Sequence, residues 1–480
     1  MSKSIGSKVW LAGRLLAASL ILLPSPCQAQ RGIATSVDKF IDAEMRAQRI
    51  PGVSLTVIKN GHVIVSKGYG FANLEHRVPV KPETLFQSGS IGKQFTATAV
   101  MMLIEEGKLS LDDKLSKYFP DGPESWKKIT LRHLLTHTSG LGDYPADFNL
   151  RRDYSEEELL AIIKSQPLAF DPGEQWSYSN LGYVTLGILI SKVTGKFYGD
   201  YLAERVFRPL GMATARIISE ADIIANRAAG NSLVSNELKN QEWVAPQVNT
   251  TADGPLYLSV LDMARWDAGL YTEKLLKQLS LEMMWSPAML NNGRRTGYGF
   301  GWHTVRAHGR RMVFHAGGWQ GFKSFIVRFP EDKVTIVFFA NLWQTHEFRV
   351  ARGLIATIYP EFTLPFVKSI EDKEPKVRTL VRDVLLKIAT GTADPVLFTP
   401  KARTKLFHDN EDKQLIETLN SLSHPVAIIH SMELIDRKDE GGLRIYRYAL
   451  TDLGKSLYCT VSLTKELKVD ELQLQVGASL

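Results

Sequence analysis

The sequence predicts an α/β protein: an antiparallel sheet flanked by helices, an all-helical lobe inserted into it, and a small α+β domain at the C-terminus. Three observations predict this. Two hairpin patterns lie far apart, one near the start and one past residue 320. The chain between them is mainly helical in periodicity, and a fresh run of helix and then strand patterns begins near Glu374. At 480 residues, 44% hydrophobic and 23% charged, the composition is that of an ordinary globular protein with room for two or three domains.

The elements follow in order. Lys3, Lys8 and Arg14 precede an apolar run from Leu15 to Leu23, which Pro24 and Pro26 break. This reads as a cleavable signal peptide over residues 1–29, cut after Ala29. The run is well short of the roughly 20 residues of a spanning helix. The protein is therefore expected to be exported, periplasmic or secreted, with no stable membrane span. The leader holds three basic residues and no acid, so the formal charge of +7 falls to +4 without it. So small a balance, with no Lys/Arg run, argues against a nucleic-acid partner. Of the two cysteines only Cys459 then remains, within the alternation Leu457, Cys459, Val461, Leu463 of a half-buried strand.

Asp38 to Arg49 reads as a helix. Val53–Ile58 and Val63–Ser66 flank Asn60-Gly61, a hairpin signal because both central positions tolerate positive φ. Phe322–Phe329 and Val334–Phe339 form the second hairpin around residues 330–333. Helical patterns between them include Lys93–Glu106, Leu131–Thr136, Ser155–Lys164 and Val184–Val193. A main domain over 30–362 follows, with its α/β part at about 35–90 and 290–362 and the helical lobe at about 91–289. A C-terminal domain over 374–480 opens with Val377, Leu380, Val381, Val384, Leu385 and Ile388 on one helical face. A second helix around Leu415, Ile416 and Leu419 and three strand-like runs complete it. Its residue types suggest no chemistry.

Chemistry concentrates in three segments. In FQSGSIGKQF, Ser90 follows Gly89 at an expected helix N-terminus, where partial positive charge favours a developing anion. Lys93 lies three residues on, over the same turn. A serine hydroxyl needs a base beside it, and a lysine serves once desolvation or positive neighbours lower its pKa. Ser88, five residues from Lys93, falls outside that turn. In WSYSNLGY, Tyr178 could relay a proton as phenolate beside an ammonium, and Asn180 offers a donor and an acceptor to a substrate amide. In HAGG, expected at the end of a strand over Met312–Phe314, His315 could be a neutral donor or a cation. Gly317 and Gly318 there permit close approach, and the Gly318 N–H could share an oxyanion hole with that of Ser90.

Together these segments resemble, in order and spacing, the S-x-x-K, Y-x-N and H/K-x-G elements of the serine β-lactamase and penicillin-binding-protein superfamily. The likeness is greatest to its class C β-lactamase, D-alanyl-D-alanine carboxypeptidase and esterase branch. Gly107–Asp113, ITLRHLLTHTSGL (129–141), Phe170–Gly173, Pro209–Met212 and Tyr298–Trp302 (YGFGW) are similar as well, so the resemblance covers about residues 35 to 360. It implies a two-lobed fold and an acyl-enzyme on Ser90. It also implies proton transfer shared by Lys93 and Tyr178, and an oxyanion held by the N–H groups of Ser90 and Gly318. No cofactor and no metal are expected. His133 and His137 stand four apart without the glutamate of H-E-x-x-H, and Glu174 belongs to a turn.

Two departures shape the expected substrate. His315 stands where β-lactamases usually have lysine, and Ala316 offers no hydroxyl to a substrate carboxylate. A hydrogen bond to a charged group contributes ~1.5–3 kcal/mol, so the expected reaction is hydrolysis of a D-amino-acid peptide, a cell-wall peptide among the candidates, or of an ester. A β-lactamase and a silent ligand-binding or penicillin-sensing module are the alternatives.

Overall fold

Asn60 and Gly61 both take positive φ, 52° and 75°, and close the first hairpin as their sequence demands. The computed structural model describes residues 26–217, 219, 221–307, 310–360, 369–389, 392–407, 432–452 and 455–476. The expected leader lies outside these residues up to position 25, as does the helix expected around Leu415.

Seven strands build the main sheet: β1 (Gly52–Lys59), β2 (His62–Asn73), β3 (Val78–Pro79), β4 (His303–Ala307), β5 (Arg310–Trp319), β6 (Phe322–Phe329) and β7 (Val334–Ala340). Their order is β3-β2-β1-β7-β6-β5-β4. The N-terminal hairpin joins the late strands through β1 and β7, with Val53 opposite Ala340 and Lys59 opposite Val334. Successive side chains face opposite sides of the sheet. Phe325 and Val327 join a core with Val37 and Ile41 of helix α1 (Pro26–Gln48) and Val350 and Leu354 of a helix over Glu347–Ile358. Phe322 and Ile326 face the other way. They join a core with Phe95 of helix α2 (Lys93–Glu105) and Leu186 of helix α3 (Asn180–Thr194).

The helical lobe holds helices over Leu131–Leu135 and Glu156–Ser165 besides α2 and α3. Helix α3 begins four residues before the expected Val184 because Ser179 caps it, its Oγ accepting from Gly182 N at 3.0 Å. The lobe also carries a small hairpin, Asn231–Val234 with Glu237–Asn240. Among the described residues no helix is long and apolar enough to cross a membrane.

After residue 374 a helix over Pro375–Ala389 packs with a four-stranded sheet in sequential order, its strands at Glu433–Glu440, Leu443–Asp452, Lys455–Leu463 and Val469–Val476. Three strand-like runs were expected. Four form, and the first of them, ELIDRKDE, is largely exposed. Cys459 is fully buried in that sheet, and burial pushes its thiol up to about 12.

One expectation requires correction. HAGG does not follow a strand that ends at Phe314; β5 runs through it from Arg310 to Trp319. Its partner β4 is what ends, pairing only as far as Phe314. From His315 onward β5 therefore has one free edge, and the Ser90 turn packs on that side.

Candidate active site

Ser90 lies in a single 3-10 turn, Gly89–Gly92, that leads into α2. With three residues per turn, positions i and i+3 eclipse, so the turn sets Lys93 directly over Ser90. Gly89 has φ 51°, and a Cβ there would come 2.5 Å from Gly318 N. On the strand side, a Cβ on Gly317 would come 2.1 Å from Ser88 O. Turn and strand thus approach closer than any side chain permits. Ser88, the competing serine, is buried and donates to Gly254 O at 2.7 Å.

Gln320 and Gly321 form the two-residue loop between β5 and β6, and Trp319 pairs with Phe322. Antiparallel pairs alternate between hydrogen-bonded and non-bonded. The next pair, Gly318 with Lys323, is therefore non-bonded and turns the Gly318 N–H to the free edge beside the Ser90 turn. The Ser90 N–H lies in the first turn of its helix and has no intrahelical acceptor. The two N–H groups expected to hold an oxyanion are thus brought to one place.

Lys93 is wholly buried. Its Nζ contacts Ser90 Oγ at 3.1 Å, Asn180 Oδ1 at 2.7 Å and the Asp253 carbonyl oxygen. The last two accept only, so a neutral amine spends its two protons on them and turns its lone pair to the Ser90 hydroxyl. Burial lowers the Lys93 pKa to about 8, against the opposing pull of Asp253 and Asp143. The amide of Asn180 is oriented by Asp143, whose carboxylate Oδ2 accepts from Nδ2 at 3.0 Å.

Tyr178 completes the cluster. Its ring centroid is 4.8 Å from Lys93 Nζ. Burial drives its pKa well above the usual tyrosine value, partly offset by a hydrogen bond with the Ser90 side chain. Desolvation therefore favours the phenol over the phenolate considered from sequence. His315 is buried too; its Nδ1 contacts Ala316 O at 2.6 Å and its Nε2 the Tyr298 hydroxyl at 3.0 Å. A carbonyl only accepts, which assigns a proton to Nδ1 and sets Nε2 against the Tyr298 hydroxyl. His315 is accordingly placed as part of a buried wall behind Tyr178, at 6.2 Å between ring centroids.

A family model described as Beta-lactamase matches residues 37–359. The chain belongs to this family. Penicillin-binding protein 4* of Bacillus subtilis is 30% identical over 311 residues, covering 61% of this chain and 68% of that protein. Protein flp of Staphylococcus aureus is 29% identical over 324 residues, 64% of this chain and 62% of the other. The chain thus spans about two thirds or less of the length of these curated relatives. Among solved structures, an octameric penicillin-binding protein homologue from Pyrococcus abyssi superposes with a TM-score of 0.61 at 24% identity, covering 92% of this chain and 99% of that one. D-amino acid amidase from Ochrobactrum anthropi SV3 gives 0.59 at 22%, over 69% and 99%. These likenesses show the fold: a large antiparallel sheet flanked by helices, as in the serine hydrolases of the β-lactamase and penicillin-binding-protein group.

Within this Beta-lactamase fold, four residues that sequence reasoning did not place frame the cluster: Asp143, Tyr144, Asp253 and Tyr298. Tyr298 had been noted only as part of YGFGW. His137, set aside as structural, accepts from Ser179 N at 3.1 Å through Nδ1 and lies 4.2 Å from Tyr178 between ring centroids. It holds the loop that carries Tyr178. His133 caps its own helix with Thr130, and Glu174 is exposed.

Proposed function

We propose that this chain is an exported serine hydrolase that cleaves a D-amino-acid amide or peptide bond, or an ester, through an acyl-enzyme on Ser90. The observation that carries the reading is the burial of Lys93 with its lone pair free for Ser90 once two fixed acceptors take its protons. In the proposed acylation Lys93 takes the Ser90 proton as Oγ attacks the acyl carbon. The N–H groups of Ser90 and Gly318 receive the charge that develops on the carbonyl oxygen. The Tyr178 phenol, in the same cluster as Ser90, hands a proton to the departing amine or alcohol and is replenished from Lys93. Water then attacks the ester by the same groups in reverse. The basic, short-h-region leader supports export to the periplasm or beyond.

A β-lactamase is the weaker reading, because His315 is tied up internally and Ala316 presents no hydroxyl to a β-lactam carboxylate. A silent binding module is weaker still. A buried lysine destabilises a fold, and a binder has no use for one aimed at a serine. The test is active-site labelling with a fluorophosphonate and hydrolysis of D-peptides, p-nitrophenyl esters and a chromogenic cephalosporin, with Ser90→Ala as control. Wild type should gain one adduct on Ser90 and turn over an amide or ester. Full activity in Ser90→Ala would overturn the mechanism.

A further inference from the structure

Three successive carbonyl groups tie one loop to the stretch that carries Ser90. Ala252 O accepts from Thr96 Oγ1 at 2.8 Å, Asp253 O accepts from Lys93 Nζ, and Gly254 O accepts from Ser88 Oγ at 2.7 Å. Gly254 has φ 143°, and a Cβ there would come 2.3 Å from Gly89 O and 2.8 Å from Ser90 Cα. The backbone of Asp253 is thus fixed on both sides, and its side chain is held in the neighbourhood of the lysine.

That side chain is a carboxyl group only 7% exposed. Its Oδ2 accepts from the Tyr144 hydroxyl at 3.3 Å, while Oδ1 is buried without a hydrogen-bond partner. A carboxylate so placed is costly unless a cation compensates it. Burial pushes the Asp253 pKa up, opposed first by Lys93 and then by the Thr251 hydroxyl. The influence is mutual. Burial lowers the Lys93 pKa, and Asp253 opposes it more than Asp143 does.

The other groups facing the pair are neutral or screened. Asp143 is exposed and spends Oδ2 on Asn180 Nδ2, so solvent weakens the reach of its charge. The ring centroids of Tyr178 and Tyr183 lie 4.8 and 5.5 Å from Lys93 Nζ, and burial raises the pKa of both phenols. Tyr144 and Tyr198, on the Asp253 side, are kept as phenols in the same way. Among these groups Asp253 is the buried negative charge.

We infer that Asp253 is a positioning residue whose carboxylate is the buried counter-charge of the ammonium that Lys93 becomes on taking the proton of Ser90. The inference rests on the acyl-enzyme reading above and deepens it. As the bond from Oγ to the acyl carbon forms, the Oγ–H bond breaks and the proton joins the lone pair of Nζ. Negative charge passes to the substrate oxygen and positive charge appears on the lysine. Asp253 neither gains nor loses a proton; it makes the lysine the stronger base by stabilising its charged form.

The experiment measures the rate of fluorophosphonate labelling of Ser90 against pH, in wild type and in Asp253→Asn. Asparagine has the same shape, keeps the backbone carbonyl for Lys93 and removes the charge. Wild type should show an inflection at the Lys93 value of about 8. In Asp253→Asn the inflection should fall by about one pH unit. The rate above it should drop several-fold, because the lysine is then the weaker base. Wild type is also labelled at low and high salt. A buried pair is little screened, so its inflection should hold between about 0.05 and 1 M salt, where an exposed carboxylate loses its effect. An unmoved inflection in Asp253→Asn overturns the inference even if the rate falls, since Asp253 would then only hold its loop in place. A wild-type inflection that drops in high salt overturns it too and assigns the counter-charge to Asp143; this measurement decides the matter should Asp253→Asn fail to fold. Both outcomes leave the serine-hydrolase reading standing. Absence of labelling in wild type removes that reading, and the inference with it.

Discussion

The Tyr298 hydroxyl meets His315 Nε2 at 3.0 Å, inside a wall of buried rings. The Ala316 carbonyl holds a proton on Nδ1 of the imidazole, and the Tyr298 hydroxyl engages the other nitrogen. Replacing Tyr298 by Phe removes the hydroxyl that Nε2 meets in this buried wall. The expected cost is about 1–3 kcal/mol of stability, read by urea denaturation. A several-fold loss of kcat/KM should accompany it as Tyr178, which packs on the same rings, gains freedom.

The pKa of Lys93 gives the pH profile a direction. With the free base required and a value lowered to about 8, kcat/KM should rise through pH 8 and level off above it. Its inflection should follow Lys93 and be insensitive to Tyr178→Phe, whatever residual rate that variant retains. A profile flat from pH 6 to 10 would contradict the assignment.

Stability should respond to the same group. Unfolded, the lysine holds its proton up to the ordinary value of about 10.5; folded, it releases it near 8. Between these values the unfolded chain binds more protons, so stability gains with rising pH. Below pH 8 the full penalty of a buried ammonium applies. Relative to Lys93→Met, wild type should therefore become more stable between pH 8 and 10.5, measured as the difference in unfolding free energy at pH 7 and pH 10.

Gly317 reports on the seam between strand and turn. A methyl group there would come 2.1 Å from Ser88 O and 2.3 Å from Ser324 Oγ. Gly317→Ala should cost about 1–3 kcal/mol by overpacking, and should lose most fluorophosphonate labelling because the turn that presents Ser90 must retreat. Unchanged labelling kinetics would show that the seam yields without moving the serine.

Ala316 offers a gain-of-function counterpart. Ala316→Thr adds a donor where a penicillin carboxylate would lie. The expected result is a roughly tenfold faster acylation by a fluorescent penicillin, the equivalent of one charge-assisted hydrogen bond. A rate no greater than wild type would show that the carboxylate binds elsewhere.

Much of this architecture was legible in the sequence because local chemistry and tertiary structure agree. Asn60-Gly61 has to turn, and both hairpins form where read, although the second strand of the first runs on to Asn73, past the expected Ser66. Ser90, Lys93, Tyr178 and Asn180 stand out because their types and spacing are unusual together, and the fold brings them into one cluster. Two kinds of feature escaped. The strand expected to end at Phe314 instead continues to Trp319, and the glycines at 317 and 318 permit the close backbone approach expected of them within it. Asp143 and Asp253 sit in unremarkable loop sequence, and only the fold brings the first to Asn180 and the second to Lys93. Nothing local marks a carboxylate whose meaning depends on an amide 37 residues away.

The pairing of β1 with β7 has a consequence for how the molecule is made. Val53 meets Ala340 only after most of the chain has been synthesised. Until then the first hairpin has an apolar edge with no strand to cover it, and closing so large a loop is slow. The nascent chain therefore stays open and aggregation-prone for most of its synthesis. The site comes into being in the same event, since β5, which carries Gly318, docks only when the late strands reach the early ones.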